Sequence, residues 1–406
     1  MTDMLAVVMV GLPARGKSHV AHKLTRYLKW AGLRTRVFNV GDYRRARSGG
    51  GERHDFFSPD NEASKALRRE LAMSALDDAI EWLQVQGGQI AIYDATNTTR
   101  RRRDLIVERC EREQVPLLFI EVIVNDADVI EANIQETKLR SGDFQGLSVE
   151  EAADEFRARI AHYERVYEPV VDEGLSFIKR IDGGRQIVVN RVRGELGLRI
   201  ANFLSGMVSI PQPVWLTRHG ESLFNVDGIL GGDPRLSDRG RQYGIQLGDL
   251  VRKHTPELPG LQVWTSSLRR TIETALYLER DTRKWNELDE INAGTCEGMT
   301  YARVARELPD EYEARKQDKF RYRYPRGESY EEMIQRIDRV VVELERQTTP
   351  VLVVGHQAVL RVMYSYLMGT PREQCPHLHI PLHCLIQLTP EVSKVTEQRT
   401  TFDVDA

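Results

Sequence analysis

Residues Gly11-Leu12-Pro13-Ala14-Arg15-Gly16-Lys17-Ser18 have the spacing G-x-x-x-x-G-K-[ST]. Glycines at the two ends let the backbone turn so that its N–H groups face a phosphate. Lys17 can reach the β- and γ-phosphates of a nucleoside triphosphate, and the Ser18 hydroxyl can ligate Mg²⁺. Such a loop works with an acid. Asp94 ends the apolar stretch 89–94 and stands where Mg²⁺ or its water shell is held, or where a base would act on an acceptor hydroxyl. Lys138, near the end of an expected helix, either faces a transferring phosphoryl group or favours the helix dipole.

A second set of residues begins two hundred positions later. Arg218-His219-Gly220 follows the apolar residues 214–217, and Arg-His-Gly at the end of a first strand is a signature of histidine phosphatases and phosphoglycerate mutases. A neutral imidazole can attack phosphorus and carry the phosphoryl group while Arg218 neutralises its oxygens. The stretch 263–271 brings Arg269 and Arg270 toward the same end, and 288–294 puts a carboxylate in a loop, suited to protonating a leaving oxygen. His356, just past the apolar residues 351–355, is a second phosphate-pocket histidine.

These side chains need frames. Leu5–Val10 reads as a buried strand, and Val20, Leu24, Tyr27 and Leu28 put the apolar face on a helix from Lys17 to Trp30. Phosphates would then sit at a helix N-terminus. Residues 34–40 read as a strand, followed by Tyr43–Arg47 and a glycine-rich 48–51, either a mobile basic loop or a clamp for an anionic second substrate. A helix over 59–86 and a strand over 89–94 come next. The hydroxyl-rich residues 95–99 lead into Arg100–Arg103, a grip for a sugar phosphate or a capped, solvated helix start. A strand over 115–124 and helices over 126–139 and 150–168 follow, the last with Arg159 and Tyr163 on one face. Residues 175–180 and 186–190 make a closing strand pair. This alternation predicts a mostly parallel sheet with ligands beyond the strand C-termini. Pro211 and Pro213 mark a linker over 205–213, after which the pattern restarts. Two domains are expected, 1–208 and 209–406.

Composition agrees. The 406 residues are 41% hydrophobic and 29% charged, and a formal charge of −3 argues against bulk binding to nucleic acid. No stretch approaches a membrane span, and the chain enters its first strand with no room for a signal peptide. The four cysteines form no disulfide or CxxC pattern, which fits the cytoplasm. Cys375, His377, His379, His383 and Cys384 match no zinc spacing, and Cys296 reads as packing.

The order of GLPARGKS (11–18), FNVGDYRR (38–45), DATNTTR (94–100), RHGES (218–222), GGDPRLSDRG (231–240), RYRYPRGESY (321–330) and GHQAVLR (355–361) resembles the bifunctional 6-phosphofructo-2-kinase/fructose-2,6-bisphosphatase family over residues 3–390. The resemblance implies an N-terminal P-loop kinase domain with a mostly parallel sheet and a C-terminal α/β histidine-phosphatase domain like phosphoglycerate mutase. It implies transfer of the γ-phosphoryl of ATP, with Mg²⁺, to O2 of fructose 6-phosphate. Lys17, Ser18, Asp94 and Asn133 then match nucleotide, metal and catalytic positions. Arg44, Arg68, Thr96, Arg102, Lys138, Arg159 and Tyr163 match sugar-phosphate contacts. In the second domain it implies hydrolysis of fructose 2,6-bisphosphate through a phosphohistidine on His219, with Glu290 as proton donor. Arg218, Arg270 and His356 then form the phosphate pocket, and Asn225, Gly231, Tyr301, Arg315, Lys319, Tyr330, Gln357 and Arg361 hold the rest of the bisphosphate. A homodimer is also implied. The chain departs at Val124, where many members carry cysteine.

Three other readings compete: one working activity with the other domain regulatory, a kinase and phosphatase of nucleic-acid ends, and a nucleotide sensor. Aromatic-basic interleaving is absent, which counts against the second, and a sensor needs neither His219 nor Glu290.

Overall fold

The computed structural model describes residues 4–135, 142–144, 147–208, 212–254, 256, 258–391 and 394–405. The chain divides into two compact units, 1–209 and 210–406.

In the first unit the strands β1 (Leu5–Val10), β2 (Thr35–Asn39), β3 (Ile90–Asp94), β4 (Leu117–Ile123), β5 (Phe177–Ile181) and β6 (Gln186–Asn190) form one sheet in the order β2-β3-β1-β4-β5-β6. All pairs are parallel except β5–β6. Every residue of β1 is buried, as a central strand covered on both faces requires. Helices α1 (Lys17–Trp30), α2 (Val40–Ser48), α3 (Glu62–Gln84), α4 (Arg100–Arg112), α5 (Ala127–Asn133), α6 (Val149–Glu164) and α7 (Gly194–Gly206) accompany the sheet. Tyr27 of α1 stacks on Phe203 of α7, with ring centroids 4.2 Å apart.

Two local differences from the sequence reading have clear causes. The basic stretch Tyr43–Arg47 is helix α2, not a loop. Asn39 caps it by accepting the Gly41 N–H at 2.8 Å, Asp42 and Arg45/Arg47 sit at the ends that the helix dipole favours, and Gly49 ends it at φ 78°. The following long helix begins at Glu62 because the Asn61 side chain accepts the Ser64 N–H at 3.0 Å. Helix α7 is an element that the sequence reading did not contain. Lys138 and part of the expected 205–213 linker lie outside the described residues.

In the second unit β7 (Val214–Arg218), β8 (Gln262–Thr265), β9 (Thr282–Lys284), β10 (Val351–Gly355), β11 (Cys384–Pro390) and β12 (Val395–Thr401) take the order β12-β11-β7-β10-β8-β9. The pairs that include β11 are antiparallel and the rest parallel. Around them lie α8 (Leu223–Asp227), α9 (Asp238–His254), α10 (Arg269–Leu276), α11 (Tyr301–Glu307), α12 (Pro309–Gln317), α13 (Tyr330–Glu345) and α14 (Gln357–Met368). The register decides the chemistry. Gly355 of β10 lies opposite Arg218 of β7, and Val354 opposite Thr265 of β8, so His219, His356 and Ser266 emerge side by side at three strand ends.

Candidate active sites

The loop after β1 is shaped for an anion. Gly11, Ala14 and Gly16 have φ of 136°, 58° and 82°, and the N–H of Gly11 donates to the Thr96 carbonyl at 2.9 Å. A Cβ on Gly11 would stand 2.4 Å from the Val122 carbonyl oxygen, so only glycine fits this turn. Gly16 is the N-cap of α1 and supplies no side-chain acceptor, which leaves the helix's first N–H groups for a phosphate. Asn133 of α5 donates to the Ala14 carbonyl at 3.0 Å and steadies the loop. Lys17 Nζ folds onto the Leu12 carbonyl at 2.6 Å.

Ser18 Oγ donates to Asp94 Oδ2 at 2.8 Å, and Asn39 Nδ2 donates to the same oxygen at 2.8 Å. This follows from sheet register, since Asn39 and Asp94 are direct partners on β2 and β3. A hydroxyl and a carboxylate meeting below a phosphate loop are oxygen donors suited to Mg²⁺.

The arginines converge on an acid that the sequence reading passed over. Arg44 Nη2 is 2.5 Å and Arg159 Nη1 3.2 Å from Oδ2 of Asp143, with the Arg44 and Asp143 side chains 6% and 7% exposed. Burial opposes charge on Asp143, but the Arg44 and Arg159 guanidiniums outweigh it and hold the carboxyl below its ordinary range. The Arg159 guanidinium also lies over the Phe57 ring, 3.6 Å from its centroid, and Tyr163 is 6.3 Å from Phe57 between centroids. Arg68 donates to the Phe57 and Ser58 carbonyls, both at 3.0 Å. Arg102 donates to the Tyr93 hydroxyl at 2.9 Å. Arg44, Arg68, Arg159 and Tyr163 thus gather about Phe57, while Thr96 and Arg102 belong to the β3–α4 corner.

In the second unit, His219 Nδ1 is 2.7 Å from the Gly220 carbonyl, which can only accept. The proton therefore sits on Nδ1, and the Nε2 lone pair accepts from Arg270 Nε at 3.1 Å. Burial, then the charges of Arg270 and Arg218, push the His219 pKa well below 6.5, so the ring is neutral. His356 is likewise depressed, first by burial and then by Arg270. Its Nε2 is 2.7 Å from Ser266 Oγ, and its buried Nδ1 makes no hydrogen bond among the described residues. Arg218 is lowered to about 10, chiefly by burial. Glu290 accepts the Ala358 N–H at 3.2 Å at the start of α14. Gly220 packs against Gly240, where a Cβ would stand 2.3 Å from the carbonyl oxygen.

Beyond this pocket stands a basic group. Arg315 donates to the hydroxyls of Tyr324 and Tyr301 at 2.7 and 3.0 Å, and Arg361 to Tyr330 at 3.3 Å. Lys319 Nζ donates to the Pro376 carbonyl at 2.9 Å. Gln357 opens α14, and Gly231 (φ 67°) leads to the Gly232 carbonyl, which accepts from Arg270 at 2.8 Å. Asn225 closes a capping box with the N-cap Ser222 at the start of α8, its Oδ1 accepting the Ser222 N–H at 3.0 Å. Ser266 and Tyr324 are contacts missed from sequence, although Tyr324 lies inside the motif RYRYPRGESY.

Fold and sites together define a two-domain phosphotransfer protein, a P-loop kinase domain followed by a histidine phosphatase domain. The 6-phosphofructo-2-kinase family profile matches residues 2–210, and that of the histidine phosphatase superfamily (branch 1) residues 214–402. The chain belongs to the bifunctional 6-phosphofructo-2-kinase/fructose-2,6-bisphosphatase family and carries both of its enzymatic domains. Proteins with that name include one from Gallus gallus, 45% identical over 95% of this chain and 82% of its own length. A Caenorhabditis elegans relative is 44% identical over 95% and 86%. One from Arabidopsis thaliana is 47% identical over 97% of this chain, which spans 53% of that longer protein. Among solved structures, the alpha-ribazole phosphatase from Shigella flexneri aligns with 46% of this chain and 94% of its own, at 26% identity and a TM-score of 0.42.

Proposed function

We infer that both domains work, the first making fructose 2,6-bisphosphate from ATP and fructose 6-phosphate and the second returning it to fructose 6-phosphate and phosphate. The observation that supports this reading is that one chain holds the residues of two phosphoryl sites of opposite chemistry: the Ser18–Asp94 pair under a phosphate loop, and a neutral His219 beside Arg270. The domains are taken as 1–208 and 209–406.

In the kinase domain the backbone of Gly11–Ser18 binds the ATP phosphates, and Lys17 swings from the Leu12 carbonyl onto them. Ser18 and Asp94 would hold Mg²⁺, which supplies charge neutralisation of the phosphates when bound. Arg44, Arg68, Thr96, Arg102, Arg159 and Tyr163 bind the sugar phosphate, Asn133 steadies the loop, and Lys138 is assigned to the transferring phosphoryl group. Catalysis here is positioning plus charge stabilisation. In the phosphatase domain Nε2 of His219 attacks the 2-phosphorus as the bond to O2 breaks, and Glu290 gives that oxygen its proton. Arg218, Arg270 and His356 take the phosphoryl oxygens. Water then attacks the phosphohistidine, loses its proton to Glu290, and regenerates His219. Asn225, Gly231, Tyr301, Arg315, Lys319, Tyr330, Gln357 and Arg361 bind the remainder of the bisphosphate.

No described helix is long and apolar enough to cross a membrane, and all four cysteines are free and buried. A cytoplasmic homodimer is part of this reading. Assays of each reaction in isolation test it. Lys17→Ala should abolish synthesis and spare hydrolysis, and His219→Ala the reverse; loss of both activities in either variant, or of neither, overturns it.

A further inference from the structure

Outside both sites, two histidines from separate elements meet. His54 opens the 3₁₀ turn His54–Phe57, His162 lies on α6, and their rings stack with centroids 5.4 Å apart. Nδ1 of His54 is 3.2 Å from Nε2 of His162 and 3.3 Å from Oδ1 of Asp55. One donor atom from each residue lies within 4.8 Å of the other two. A ring nitrogen carries at most one proton, which satisfies one of these neighbours and leaves a lone pair against the other. A cation between them satisfies all three.

We propose that His54, Asp55 and His162 form a binding site for a divalent transition metal of the zinc type, with water completing the coordination. Ligands at zinc distances stand about 3.3–3.5 Å apart on the edges of a tetrahedron. The two edges that meet at His54 Nδ1 already have nearly that length. The third closes by rotation of Asp55, whose side chain is 80% exposed. Two imidazoles and one carboxylate suit zinc, copper or nickel, whereas Mg²⁺ prefers oxygen throughout. The backbone is braced for this: Glu155 accepts the His54 N–H at 2.8 Å and pairs with Arg53 at 3.1 Å.

A metal here pins the turn to α6. Phe57 ends that turn under the Arg159 guanidinium, and Tyr163 follows His162, so the pin stiffens the arginine clamp. This consequence rests on the kinase reading; the metal site does not.

The test titrates chelator-stripped, full-length protein with Zn²⁺ alone by calorimetry, and with Co²⁺ to read geometry from visible absorption. The wild type should bind one equivalent more than His54→Gln/His162→Gln, with visible Co²⁺ bands that the variant lacks. Asp55→Asn, at an exposed position, should bind at least about tenfold more weakly, since even outer-shell substitutions cost that much. Identical isotherms and spectra for wild type and double variant would overturn the site and leave the pair a hydrogen bond. With metal bound, the KM for fructose 6-phosphate should fall in the wild type only; binding without that change upholds the site and overturns its link to the clamp.

Discussion

Arg270 Nε donates to His219 Nε2 across 3.1 Å, and this contact decides what His219 can do. With its proton on Nδ1 against the Gly220 carbonyl, the ring presents its lone pair to an arginine. In the proposed mechanism an entering phosphoryl group would take the guanidinium for its oxygens and meet the freed nitrogen at its phosphorus.

Two of the buried histidines, those at the ends of β7 and β10, make the fold acid-sensitive. His219 and His356 both titrate well below 6.5 in the folded chain, chiefly through burial, so below pH 6.5 the unfolded chain binds more protons. Their contribution is therefore intact above that pH and is lost as pH falls, by about 1.4 kcal/mol per pH unit per histidine. Denaturant unfolding followed over about pH 7.5 to 5.5 should show this slope, and His356→Asn should lessen it. A slope unchanged by the substitution would refute the assignment.

Lys319, in its proposed place at the bisphosphate site, should give hydrolysis an alkaline limit. Burial, then the charges of Arg361 and Arg315, lower its ammonium to about 8, so it loses its charge as pH rises through that value. The KM for the bisphosphate should climb there by about tenfold, the worth of one hydrogen bond to a charged group. Lys319→Arg should flatten the rise; an identical profile in that variant would remove Lys319 from the binding group.

Asp143 joins Arg44 and Arg159, two arginines of the proposed sugar-phosphate clamp. Asp143→Ala leaves Arg44 with Glu52 alone and the half-buried Arg159 without this carboxylate, which should destabilise the first unit by about 1–3 kcal/mol. The KM for fructose 6-phosphate should rise while bisphosphate hydrolysis is unaffected. Unfolding curves and the two assays check this, and an unaltered kinase KM would contradict it.

What could be read ahead of the structure was local. The phosphate loop, the apolar strands and the residue types that end them follow from spacing and hydrophobic runs, and so does the alternation that makes a mostly parallel sheet. Register across the sheet was not legible. It sets Asn39 beside Asp94, and Ser266 near His356, over separations that no periodicity records. Helix α2 is masked in the sequence by its glycines and arginines, and its cap, Asn39, is also the last residue of β2. Asp143 went unnoticed because its meaning comes from arginines that approach it from two helices.

The central claim is that the phosphoryl group attached under the P-loop is the one His219 later carries. Supplying the protein with fructose 6-phosphate and ATP radiolabelled at its γ-phosphoryl group tests this in one experiment. Acid-labile label should appear on the protein only when fructose 6-phosphate is present, and should vanish in both Lys17→Ala and His219→Ala. Label that forms without the sugar phosphate, or that survives in either variant, would contradict it.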